Sequence, residues 1–108
     1  MGMGARFLLD VVTPLRLRVH CTHAYWTLTI LEKHPVLRGR EREVQLALAA
    51  PDEVRRSRSD PRVLLFYRKL GSRWTCAVVN CDAEPGFLVT AYPTDTVKIG
   101  DTVWTRSS

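Results

Sequence analysis

From Leu15 to Cys21 apolar and polar residues alternate with period two: Leu15, Leu17, Val19 and Cys21 against Arg16, Arg18 and His20. Successive side chains of a strand point to opposite faces, so this pattern predicts a half-buried strand. After Thr22, which suits a helix cap, the period changes. Trp26, Ile30 and Leu31 then fall on one side of a helix predicted over 24–34. His23 and His34 lie eleven positions apart, about three helical turns, which puts them on nearly the azimuth of Trp26 and Ile30. Pro35 stops the helix, because the residue before proline avoids the helical region, and leaves His34 at its C-terminal end.

A second helix is predicted over 40–50, with Val44, Ala47 and Leu48 as its buried stripe and the Arg40–Glu43 charges on its wet side. Pro51 and Asp52 end it, and Asp52 caps a short turn through Val54. Residues 55–62 contain no apolar side chain except Pro61 and read as a polar loop. Val63–Leu70 and Trp74–Asn80 read as a hairpin turning at Gly71-Ser72. Phe87–Tyr92 is a further strand, broken by Pro93, and Val103–Thr105 a short closing edge strand. Helices first and strands later predict the α+β class. The expected architecture is two N-terminal helices on one face of a roughly four-stranded antiparallel sheet, with an additional short N-terminal strand. Residues 1–14 are expected as an N-terminal extension and 15–108 as a single domain.

A chain of 108 residues with 45% hydrophobic and 25% charged residues is the size and balance of one globular domain. It has no apolar run of membrane-spanning length, and the run Phe7–Leu9 stops at Asp10, too short for a secretory leader. The expected location is cytoplasmic. The cysteines are Cys21, Cys76 and Cys81, an odd and low number that argues against a disulfide framework. Joining them with His23 around zinc would need C-x-H and C-x4-C spacings, which are not those of structural zinc sites. Free thiols, with no metal and no cofactor, are the expectation.

Charge changes the picture more. Between Lys33 and Arg73 eleven basic residues stand against five acidic ones, whereas the rest of the chain carries five basic and six acidic residues. Thirteen of the sixteen cations are arginine, whose planar donor fork suits phosphate oxygens. Arg55, Arg56, Arg58, Arg62 and Lys69 are therefore candidate RNA-binding residues, with a solvated arginine-rich face as the plain alternative.

The order of several short motifs carries a resemblance. Trp26-x3-Ile30-x3-His34-Pro35-x-Leu37 is followed by Pro51-Asp52-Glu53-Val54, Phe66-Tyr67-Arg68, Val78-Val79, Val89-Thr90-Ala91-Tyr92-Pro93-Thr94 and Lys98-x-Gly100-x3-Trp104. This series resembles the phage-type branch of the barnase–EndoU–colicin E5/D–RelE superfamily of metal-independent ribonucleases and toxins. It covers the chain from Leu15 to Trp104. The resemblance implies two helices followed by a four-stranded antiparallel sheet. It carries the family's helix-end histidine to His34, its basic residue to Arg68 (with Arg56 and Arg58 as alternatives), and its late-strand hydroxyl pair to Thr90 and Tyr92. Many members of that group are inactive as nucleases, so the fold follows from it more directly than the activity.

These residue types suit RNA cleavage by attack of the 2′-oxygen on phosphorus. That reaction needs proton transfer, charge stabilisation and no metal. His34 can transfer protons near neutral pH, and the helix C-terminus favours its cationic form. Equally, it can simply cap its own helix carbonyls. Arg68 can clamp the phosphorane or sit in a surface ion pair. Thr90 and Tyr92, two apart in a strand, share a face and can hold phosphate, or be ordinary strand residues. His20, His23, Asp52 and Glu53 are further candidates for a second proton-transfer group. The expected function is an endoribonuclease-like domain whose site lies in a groove between helices and sheet. The alternative is a non-catalytic RNA- or protein-binding module of the same fold. Expected partners are RNA and an acidic antitoxin or immunity protein.

Overall fold

A computed structural model describes residues 7–106 of the chain. Seven strands form one sheet: β1 Phe7–Val12, β2 Arg18–Thr22, β3 Glu53–Arg56, β4 Val63–Leu70, β5 Arg73–Asn80, β6 Gly86–Thr94 and β7 Asp101–Thr105. Their spatial order is β1-β2-β6-β5-β4-β3-β7. All neighbours run antiparallel except β2 and β6, which are parallel. Between β2 and β3 lie a helical run over 23–33, a 3-10 turn at Pro35–Leu37 and a helix at Glu41–Ala49. The α+β class with helices packed on a sheet is as expected; the four-stranded, purely antiparallel sheet is not.

Each departure has a local cause. The apolar run at Phe7, within the expected N-terminal extension, forms β1, and Leu9 and Val11 enter the core. The chain turns tightly after it: Thr13 accepts from the Arg16 N–H, and Arg16 adopts a positive φ of 65°. The second strand therefore starts at Arg18 rather than Leu15. Val54, expected in a turn, is fully buried in β3, and the first two arginines of the expected loop continue that strand. Pro93 does not break β6. It lies opposite Thr75, on a stretch with no strand along its other edge, where a missing N–H removes no ladder bond.

The first helix is capped as expected, the Thr22 hydroxyl accepting from the Tyr25 N–H at 3.1 Å. Across Trp26–Ile30 it winds wider, so that the Leu31 N–H donates to the Trp26 carbonyl five residues back. Trp26, Ile30 and Leu31 are buried together, while His23 is exposed instead of sharing the Trp26 azimuth. In the second helix the buried stripe is Val44, Ala47 and Leu48.

Both faces of the central strands are covered, unequally. On the helix face Val19, Val54, Leu64, Phe66, Ala77, Val79, Leu88 and Ala91 join the helices in the main core. On the opposite face Leu65, Tyr67 and Cys76 form a smaller cluster with Val78, Tyr92 and Val97. Residues 95–100 cross this second face as a strap. The Lys98 N–H donates to the Tyr67 hydroxyl at 3.1 Å, and Arg55 donates to the Lys98 carbonyl at 3.3 Å. Gly100 passes so close to the Arg56 carbonyl that any Cβ would overlap it.

Gly100→Ala should lift the strap from β3 and cost about 1–3 kcal/mol of stability, the range for overpacking against a fixed backbone atom. The urea midpoint of the variant against the parent protein measures this.

Candidate functional site

Strand register decides which predicted residues meet. In the β5–β6 ladder Tyr92 lies opposite Cys76 and Thr90 opposite Val78, so both hydroxyl residues sit on the strap-covered face. Arg68 lies opposite Thr75, in phase with Phe66 and Ala77, and so belongs to the helix face. The expected set His34, Arg68, Thr90 and Tyr92 is therefore split, with Arg68 across the sheet from the two hydroxyls. Thr90 and Tyr92 lie on the face away from the main helix packing, not in a groove between helices and sheet.

On that face a cleft of about 400 Å³ is lined by Arg58, Asp60, Thr90, Tyr92, Lys98 and Ile99, among others. The first helix runs beside β6, tied to it by the Tyr25 hydroxyl, which donates to the Val89 carbonyl at 2.7 Å. Its C-terminal residue His34 reaches Tyr92, with ring centroids 5.8 Å apart and planes tilted by 40°. The Lys98 ammonium stands 5.7 Å from the Tyr92 ring centroid. Tyr92 is thus the common neighbour of an imidazole and a cation, while His34 itself stands next to the cleft wall rather than in it. Lys98 escaped the sequence reading as a site residue. Its signal was a lone lysine outside the arginine-rich segment, and only the strap brings it to Tyr92.

The Thr90 and Tyr92 hydroxyl oxygens are covered, and the Tyr92 hydroxyl lies against the Cys76 thiol and the Tyr67 hydroxyl. The Thr90 hydroxyl has no hydrogen-bond partner among the described residues, and an unsatisfied group of this kind costs about 1–3 kcal/mol. Burial, then the neighbouring Cys76 thiol, pushes the Tyr92 phenol well above its ordinary value. At neutral pH Tyr92 is a neutral donor and not a base. Burial likewise pushes Tyr67 up to about 12 and Cys76 up to about 11. Cys21 rises to about 11 by burial, so the deeply buried thiols are neither nucleophiles nor ready thiolate ligands. Among the described residues no group of three or more His, Cys, Asp or Glu side chains could hold a metal ion.

The basic candidates divide. Arg58 is exposed on the cleft wall. Arg55 is half-buried and engaged with Glu53 at 2.5 Å as well as with the strap. Lys69 shares the strap face and lies 5.4 Å from the Trp74 ring centroid. Arg56 is in phase with Leu64 on the other face and donates to the Pro61 carbonyl at 2.7 Å. Arg62 binds both oxygens of Asp60 at 3.0 Å, and those bonds hold the Asp60 carboxyl below its usual range. The further proton-transfer candidates lie elsewhere or are occupied. His20 is 3.2 Å from Asp10 on β1, and Asp52 accepts from the Lys69 N–H at 2.6 Å and from Arg106.

Comparison with protein-family models, with curated proteins and with solved structures gave no significant match. No helix among the described residues is long and apolar enough to cross a membrane.

The raised thiol and phenol values predict alkaline destabilisation. A thiol with an ordinary value of 9.0 ionises first in the unfolded chain, so Cys76 supports folding below pH 9 and loses that contribution as pH rises towards 11. Tyr67 follows between 10.0 and about 12. Urea midpoints should hold up to about pH 9 and then fall, and Cys76→Ala should make the first part of that fall shallower.

Proposed function

We propose that this domain is a metal-independent endoribonuclease-like module that seats one RNA phosphodiester in the Thr90–Tyr92–Lys98 cleft. The observation that carries this reading is that two hydroxyl residues, Thr90 and Tyr92, line one cleft with two cations, Lys98 and Arg58. Hydroxyl donors and cations together are the groups that phosphate oxygens take. The motif series of the barnase-like ribonucleases supports the same positions, since the helix-end histidine and Tyr92 of the late-strand hydroxyl pair are neighbours in the fold.

In this reading the 2′-hydroxyl gives its proton to solvent water as its oxygen attacks phosphorus, the bond to the 5′-oxygen breaks and a 2′,3′-cyclic phosphate remains. His34 would protonate the departing 5′-oxygen across the edge of Tyr92. Lys98 takes the charge-stabilising role expected of Arg68, because it is the cation beside Tyr92 on the cleft face. Arg58 and Lys69 would guide the flanking phosphates. The same cations suit an acidic antitoxin or immunity protein, which would compete with RNA for the cleft.

A second reading, an RNA-binding module without turnover, is favoured by Asp60. Among the described residues it is the one carboxylate on the cleft wall, and Arg62 occupies both of its oxygens, which leaves it a weak base.

Incubation with RNA in EDTA separates the two. Turnover should leave 2′,3′-cyclic phosphate ends and fall by about 10²-fold or more in His34→Ala. Lys98→Ala should weaken RNA binding and lower its salt dependence by about one charge. Arg68→Ala should leave binding and turnover unchanged. Binding without cyclic ends across pH and salt selects the module reading, and no RNA binding overturns both.

A further inference from the structure

Along β6 from the cleft, Phe87 on the same face joins Phe7, His20 and Tyr25 in a group of aromatic rings at the margin of the main core. Phe87 lies opposite Asn80 in the antiparallel ladder and level with His20 in the parallel one. Phe7 stacks on His20 with centroids 4.0 Å apart and planes tilted by 34°. Tyr25 meets Phe87 edge-on at 6.3 Å, and its hydroxyl bond to Val89 fixes the ring. Together they bound an apolar hollow of about 260 Å³. Phe7 is 41% and Phe87 48% exposed, so both rings present flat apolar surface to solvent.

Position gives this hollow its meaning. Phe87 precedes Thr90 by three residues on one strand. The extra residue Val89 in the ladder brings both onto the strap-covered face. At about 3.3 Å per residue the two are within about 10 Å, within reach of the nucleoside that flanks a phosphate held in the cleft. Rings beside a cationic groove are the arrangement that sequence-tolerant single-strand binding uses, because every base has a π-face.

We propose that the Phe87–His20–Phe7 hollow is a base-stacking subsite for an unpaired nucleotide next to the phosphate in the cleft, so that the substrate class is single-stranded RNA. The inference rests on the RNA reading above and adds to it the location of the base and the exclusion of duplex.

The test uses the full chain and a short oligoribonucleotide carrying 2-aminopurine and 2′-O-methyl groups, which block cleavage by 2′-attack. Binding should quench the aminopurine. Phe87→Leu keeps the apolar contact with Tyr25 but removes the π-face, and Phe87→Ala removes both. Each variant should melt as a folded protein, lose the quench and bind about 5- to 100-fold more weakly, with an unchanged salt slope. An oligonucleotide abasic at that position should bind parent and variants alike. Equal affinity and equal quench in parent and Phe87 variants, or equal affinity for duplex, overturns the subsite while leaving the RNA reading standing. No binding of any RNA by the parent overturns both.

Discussion

One extra residue in the β5–β6 ladder arranges the chemistry of this protein. Leu88 pairs with Val79 and Thr90 with Val78, so Val89 has no partner across the ladder. Without that residue, Leu88 and Ala91 could not both enter the main core, because residues three apart on a regular strand face opposite ways. The same shift brings Phe87, Thr90 and Tyr92 to one face. The Val89 carbonyl accepts the Tyr25 hydroxyl, which ties the bulge to the first helix and holds the end of that helix near Tyr92.

The second constraint is the strap. A sheet with only one covered face would expose Leu65, Tyr67 and Cys76, and residues 95–100 remove them from water. The strap is fixed through backbone groups, by Tyr67 beneath Lys98 and by Arg55 beneath its carbonyl. Lys98 serves the fold and the cleft together: its main chain closes the small cluster and its side chain lines the cleft. Burial in that cluster also keeps Cys76 and both tyrosines protonated, so the cluster under the strap is uncharged.

The arginine-rich segment contributes less free charge than its composition suggests. Arg62 is committed to Asp60, Arg55 to Glu53 and the strap, and Arg56 to a carbonyl on the other side of the sheet. Arg58 remains exposed at the cleft. Sequence counting sums charges, whereas recognition depends on which of them face one groove and keep their donors available.

Periodicity was enough for the two helices, the β4–β5 hairpin and the Thr22 cap, because each depends on neighbours within a few residues. It was also enough to put Thr90 and Tyr92 on one face and Arg68 on the face of Phe66. Two short strands were not legible: Glu53–Arg56 carries a single apolar residue, and Phe7–Val12 is interrupted by Asp10, yet ladder partners far along the chain hold both in the sheet. The sequence alone determined the α+β class, the helix that ends at His34 and the alternation of faces within each strand. Tertiary structure decided that His34 reaches Tyr92, that Lys98 and not Arg68 supplies the nearby cation, and that an aromatic hollow lies along β6 from the cleft. Local pattern sets the direction of a side chain within its own element, but the bulge, the parallel β2–β6 pair and the strap set which elements meet, and those depend on pairings between distant residues.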